Sequence, residues 1–159
     1  MCILKKFETF IDELPTLNQR HGEDYCNRQW NNTIDDLNEF VHQLPEEMEG
    51  RFVSLFRSRL LGRLHESEFA KYIYDRPRGY PGDFITQEMI WNGRVGFQPS
   101  HAGSTEAGKL MNAFTLQLTN CKANCLRINM LKDRLMKAKH ASIASIGCGS
   151  CIELWELPN

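Results

Sequence analysis

Near the C-terminus, Gly147-x-Gly149-x-Cys151 follows an alternation of small and β-branched residues from Ala141 to Ile146. It precedes Ile152-Glu153-Leu154-Trp155-Glu156-Leu157, which reads as the start of a helix. Strand, glycine turn and helix in that order open a nucleotide-binding βαβ unit. Glycines let a backbone approach a ligand closely and turn through positive φ, and the free N–H groups at a helix start attract polar and anionic ligand groups. A second group of chemically useful residues lies in Asp75-Arg76-Pro77-Arg78-Gly79-Tyr80-Pro81-Gly82-Asp83-Phe84, with two prolines and two glycines in ten residues. Such punctuation marks a loop. Turn chemistry accounts for Gly79, Pro81, Gly82 and Asp83, while a pocket role is the other reading of Tyr80 and Asp83.

The remaining candidates are weaker. Cys148-x-x-Cys151 and Cys121-x-x-x-Cys125 together could offer four thiolates to zinc, but the second pair lies in a helical pattern and matches no common knuckle, so no metal site is assigned. Cys121 and Cys125 read instead as core thiols at i, i+4 spacing, and all six cysteines as free thiols. The histidines His21, His42, His65, His101 and His140 share no ligand-like spacing. Arg57, Arg59, Arg63, Arg76 and Arg78 form a local basic cluster, read as a solvated helix face answered by Glu46, Glu47 and Glu49 in preference to a phosphate contact.

These residues sit in a chain of 159, with 42% hydrophobic and 25% charged residues and a net charge of -1. The length suits one domain with a core of its own. The charge balance argues against bulk capture of nucleic acid. There is no apolar run of about 18 residues to cross a membrane, and Met1-Cys2-Ile3-Leu4-Lys5-Lys6 lacks the apolar stretch of a secretion signal, so a cytoplasmic protein is expected.

Most of the chain has helical periodicity. Ile3, Leu4, Phe7, Phe10, Ile11 and Leu14 make one apolar stripe that Pro15 is expected to end. Residues 18–32 read as a loop with a short turn around Tyr25 and Trp30. Asn32 or Thr33 caps a second helix carrying Ile34, Leu37, Phe40, Val41 and Leu44. Pro45 and its glutamates start a third, which runs on through Leu64, and Ser67 recaps a shorter one through Tyr74. Phe7, Phe10, Phe40, Phe52, Phe56 and Phe69 are the expected aromatic core. A short helix spans about Ile85 to Trp91. From Thr105 to about Lys137 one long helix is predicted, roughly 50 Å if straight and therefore bent.

The stretch Ile143-Ala144-Ser145-Ile146-Gly147-Cys148-Gly149-Ser150-Cys151-Ile152-Glu153-Leu154 resembles the first motif of class I S-adenosylmethionine-dependent methyltransferases. Arg78-Gly79-Tyr80-Pro81-Gly82-Asp83-Phe84, and the long helix carrying Arg127 ahead of the motif, resemble a bacterial subgroup related to 3-hydroxypalmitate methyl ester synthases. The resemblance covers about residues 65 to 157. It implies that Gly147 and Gly149 lie under the methionyl portion of S-adenosylmethionine, that Ser150 and Cys151 shape the turn, and that Cys148 belongs with them to the cofactor-binding residues. It also implies that Glu153 sits in the first turn of the next helix and that Tyr80 and Asp83 cover the cofactor or substrate pocket. In that chemistry the protein aligns an acceptor for in-line attack on the methyl group and excludes water.

The pattern departs from the family in extent. The family domain is a seven-stranded sheet, whereas here one strand and the start of one helix precede Asn159, without the acidic residue that binds ribose hydroxyls. The fold expected is therefore mainly α: a helical bundle, residues 1–138, followed at 139–159 by the first strand and glycine turn of an incomplete Rossmann-like domain. The parent activity would be methyl transfer to a small or lipid-like acceptor, with neither turnover nor tight binding of S-adenosylmethionine expected of this chain itself. The alternative is a helical interaction module without catalysis. A lone strand leaves its N–H and C=O groups unpaired, so Ser142 to Ile146 is expected to pair with a second copy or a partner chain. The turn is expected to lie outside the helical core, so that Gly149→Val leaves the helical part's stability unchanged.

Overall fold

The computed structural model describes residues 2–95, 101–138, 142, 144 and 149–155. It is mainly helical, with no strand among the described residues, only an isolated antiparallel bridge between Ser67 and Gly103. Of the expected strand, Ile143, Ser145 and Ile146 lie outside the described residues; Ser142 and Ala144 are exposed and belong to no regular element. No helix of the described residues is long and apolar enough to cross a membrane. The chain folds as two compact units, Met1–Lys71 with His101–Thr115, and Tyr72–Ser100 with Leu116–Asn159.

In the first unit the N-terminal stripe forms helix α1, Cys2–His21, and buries Leu4, Phe7, Ile11 and Leu14. Pro15 does not end it. A proline in a helix interior loses one hydrogen bond, but burial of the stripe over Leu14 outweighs that loss, and the helix continues to His21. The chain turns at Gly22, whose φ of 79° most side chains avoid, and enters α2, Glu23–His42. The polar stretch 18–32 read as a loop is thus the end of α1, the turn at Gly22 and the first half of α2. Its Cys26, Trp30 and Thr33 recur at i, i+4, i+7 and are buried, an apolar face hidden in the sequence by the asparagines around it. Thr33 caps nothing: its hydroxyl donates back to the Gln29 carbonyl at 2.8 Å. Trp30 meets Phe7 edge-on, with ring centroids 5.5 Å apart, and Phe114 at 6.4 Å.

Helix α3, Glu46–Phe56, passes into a π-helical turn, Arg57–Leu61, and a last α turn, α4, Gly62–Leu64. The basic cluster is answered differently from expectation. Arg59 pairs with Glu8 of α1, and Arg63 pairs at 2.6 Å with both Asp12 of α1 and Glu66, while Glu46, Glu47 and Glu49 stand in solvent. Of the expected aromatic core, Phe7 and Phe69 are buried, and Phe10, Phe40, Phe52 and Phe56 are half-buried.

Ser67 caps α5, Glu68–Asp75, as expected, its hydroxyl accepting the Ala70 N–H at 3.2 Å. The same hydroxyl donates to Asn112 Oδ1, which also accepts the Phe69 N–H at 2.8 Å. Asn112 belongs to α7, Glu106–Leu116. Thr105 caps α7 through the Gly108 N–H and donates to Glu66. α7 comes so close to this backbone that a Cβ on Gly108 would sit 2.3 Å from the Glu66 carbonyl oxygen.

The second unit contains α6, Phe84–Val95, α8, Thr119–Lys137, and α9, Ile152–Trp155. α6 and α9 both pack on α8, burying Ile90, Trp91, Cys121, Cys125, Ile128 and Ile152. The long helix predicted from Thr105 is broken at Gln117–Leu118, where Leu118 is extended. Arg94 of α6 takes the freed Leu116 carbonyl at 2.9 Å and the Gln117 side chain at 3.2 Å. The break is thus stabilised from a distant stretch of sequence.

Two glycine substitutions test the packing of the first unit. Gly108→Ala forces backbone against backbone and is expected to destabilise by about 1–3 kcal/mol. Gly50, within α3, has open space around its missing Cβ, so Gly50→Ala is expected to stabilise by about 0.5–1 kcal/mol. Urea unfolding of both variants measures the opposite signs.

Candidate functional site

The loop after α5 turns through left-handed Arg76, Gly79 and Gly82 and delivers Asp83 to the start of α6. Asp83 is only 2% exposed. Its Oδ1 accepts the Thr86 N–H at 2.9 Å and the Thr86 hydroxyl at 3.2 Å, the geometry of a helix N-cap. Its Oδ2 accepts the Tyr72 hydroxyl at 3.1 Å. The Arg78 guanidinium lies over the Phe84 ring, 4.3 Å from its centroid. Burial pushes the Asp83 carboxyl up, but the hydrogen bonds from Thr86 and Tyr72 and the Arg78 charge outweigh it, and the group lies below the usual carboxylate range. The Tyr72 hydroxyl is raised by burial and by its bond to Asp83. Asp83 is therefore held ionised, with a structural job at the entrance to α6.

The glycine turn is described from Gly149 onward; Gly147 and Cys148 lie outside the described residues. Gly149 has φ 60° and Cys151 φ 54°. The Cys151 carbonyl accepts the N–H groups of Leu154 at 2.8 Å and Trp155 at 3.2 Å, which closes α9. A Cβ on Gly149 would sit 2.9 Å from the Phe84 Cβ. The turn is therefore laid on the first residue of α6, which corrects the expectation that it stands clear of the helical packing.

That close approach brings two distant stretches of sequence together. Tyr80 and Asp83 from the Pro/Gly loop, and Gly149 and Ser150 from the turn, line one cavity of about 300 Å³. Arg127 of α8 and Glu153 of α9 add one charge of each sign. Gln87 also lines it, and its Oε1 is buried without a hydrogen-bond partner. Sequence reasoning missed Gln87; its place four residues after Asp83 on one helix face was the available signal. Cys151 is half-buried and shapes the turn without lining the cavity.

The thiols do other work. Cys26, Cys121, Cys125 and Cys151 are not joined in disulfides. Burial pushes Cys121 up to about 11 against the opposing charge of Arg94, and raises Cys125 in the same way. Both are neutral core thiols at physiological pH, poor nucleophiles and poor metal ligands.

No family model matches the chain, and neither a curated protein nor a solved structure matches it.

Two measurements test the geometry. Gly149→Val imposes a left-handed φ on a branched residue and a clash with Phe84, and is expected to destabilise by about 1–2 kcal/mol or more, read by urea unfolding. For Asp83, a lowered native pKa means stability that is complete above the ordinary carboxylate value. It declines as pH falls through that value and is gone below the native one. Asp83→Asn is expected to flatten this acid limb when unfolding midpoints are compared across pH.

Proposed function

We propose that the second unit carries the helical cover and glycine turn of an S-adenosylmethionine-dependent methyltransferase, serving methyl transfer to a small or lipid-like acceptor. The observation that supports this reading is the shared cavity: Tyr80 and Asp83 lie more than sixty residues before Gly149 and Ser150, yet all four line it.

The residues fit an α-amino-acid group such as the methionyl end of the cofactor. Arg127 offers a guanidinium to a carboxylate, and Glu153 offers a carboxylate to an ammonium. Gln87 Oε1, buried and unpartnered, is an acceptor waiting for a donor. Gly149 exposes backbone where a side chain would stand in the way. Asp83 acts by position: it fixes the start of α6 and, through Phe84, the seat of the turn. Bound there, the cofactor would supply an electrophilic methyl group. The chain's own task is to orient and to exclude water, with Tyr80, half exposed at the cavity, as the nearest cover.

The test is a titration of the purified 159-residue protein with S-adenosylmethionine, followed residue by residue in 15N-labelled protein. Saturable shifts at Gly149, Ser150 and Gln87 in the millimolar range, lost in Arg127→Ala and Glu153→Ala, are expected. Unmoved resonances at those positions, or shifts confined to the first unit, would refute the reading.

A further inference from the structure

Outside this cavity, two helical surfaces carry exposed apolar side chains and opposite charge. From Ile34 to Arg59 no residue is buried. There the distal half of α2 and α3 form a hairpin held by Phe40 and Phe52, whose ring centroids are 5.4 Å apart. It leaves Val41 42%, Met48 40% and Val53 44% exposed. Over the same span Asp36 pairs with Lys6 of α1 at 2.6 Å, and the remaining acidic residues Asp35, Glu39, Glu46, Glu47 and Glu49 outnumber Arg51 and Arg57, the lysines and arginines short of Arg59.

The second surface is the outer side of α8. Cys121, Cys125 and Ile128 occupy the packed side. On the opposite side, by the helical repeat of 3.6 residues, Leu126 and Met130 are 60% and 51% exposed. With Ala123, Arg127 and Arg134 they line a shallow groove of about 230 Å³. Lys132 lies over the buried Trp91 ring on the packed side, which leaves Lys122, Arg127, Arg134 and Lys137 against the single acid Asp133 along the rest of α8. Among the described residues, Lys122, Arg134 and Lys137 form no ion pair, nor do Glu46, Glu47 and Glu49.

We propose that the acidic hairpin of one copy docks along the basic outer face of α8 in a second copy. Hairpin against hairpin would set glutamates opposite glutamates, and α8 against α8 would set arginines opposite arginines; like charges juxtaposed disfavour both. The crossed pairing alone covers both apolar surfaces and matches their charges. Because each copy owns both halves, two copies can exchange them reciprocally in a closed dimer, or successive copies can pass them on in a ring or a chain. It depends on salt, since its charged rim is exposed. Arg127 lines both this groove and the cavity of the second unit, so the variants that test the docking leave it in place.

Sedimentation velocity on the purified protein tests it. At low salt the average mass is expected to rise above 18.4 kDa with concentration and to return to that value at high salt. Two charge-reversed variants sharpen the test: Glu46→Lys/Glu47→Lys/Glu49→Lys and Arg134→Glu/Lys137→Glu, each checked for helicity by circular dichroism. Each is expected to be monomeric alone at low salt, and their equimolar mixture to associate. A wild-type protein that stays monomeric at every concentration in low salt overturns the proposal. So does association that survives in both variants alone, or a monomer captured only by phosphatidylserine vesicles. Should a variant fail to fold, the wild-type salt series decides.

Discussion

The carboxylate of Asp83 takes hydrogen bonds from the Thr86 N–H, the Thr86 hydroxyl and the Tyr72 hydroxyl. Through these three bonds one side chain ties the end of α5 to the start of α6 across a loop of prolines and glycines. A buried charge is tolerable only when it is answered in this way. Against the effect of burial, the bonds from Thr86 and Tyr72, with the Arg78 charge, lower its pKa. With α6 begun at Phe84, the Gly149 backbone has a surface to rest on, and Tyr80, Arg127 and Glu153 come to line a common cavity. The packing of α6 and α9 on α8 holds the same residues from the other side.

The sequence was legible where a single helix face carries its own pattern. Leu4, Phe7, Ile11 and Leu14 announce α1, and Ser67 announces the start of α5. It misled where local rules meet tertiary packing. Pro15 looks like a stop, but the buried stripe that ends at Leu14, with half-buried Leu17 beyond, carries the helix through. Cys26 and Trp30 lie in a polar stretch whose apolar positions are too few to stand out, yet Trp30 joins Phe7 and Phe114 at the heart of the first unit. The break at Gln117–Leu118 has no glycine or proline to mark it, because its stabilising contact comes from Arg94.

The candidate site shows the same division. Tyr80 and Asp83 stand out because turn residues surround them, and Gly149 and Ser150 because they follow a glycine pattern. Gln87 carried only its spacing from Asp83 as a signal, a weak one, since a glutamine in a helix usually faces solvent. The Arg59 and Arg63 partners were equally hidden: Glu8 and Asp12 lie some fifty residues earlier, and a pairing across that distance leaves no local mark. Charge opposite charge within a short window, as in Glu46 to Glu49 against the arginines, was the wrong inference for this reason.

The π-helical turn at Arg57–Leu61 bears on how this segment can vary in length. Such a turn is an α-helix with one residue to spare. Losing a single residue there would restore a regular helix and rotate the next turn by roughly 100°. Arg63 would then swing away from Asp12 while the hairpin before it kept its own phase. The ion pairs to α1 thus act as a phase lock on this helix, and they make the extra residue, ordinarily the first to be shed, indispensable to the alignment of Gly62–Leu64.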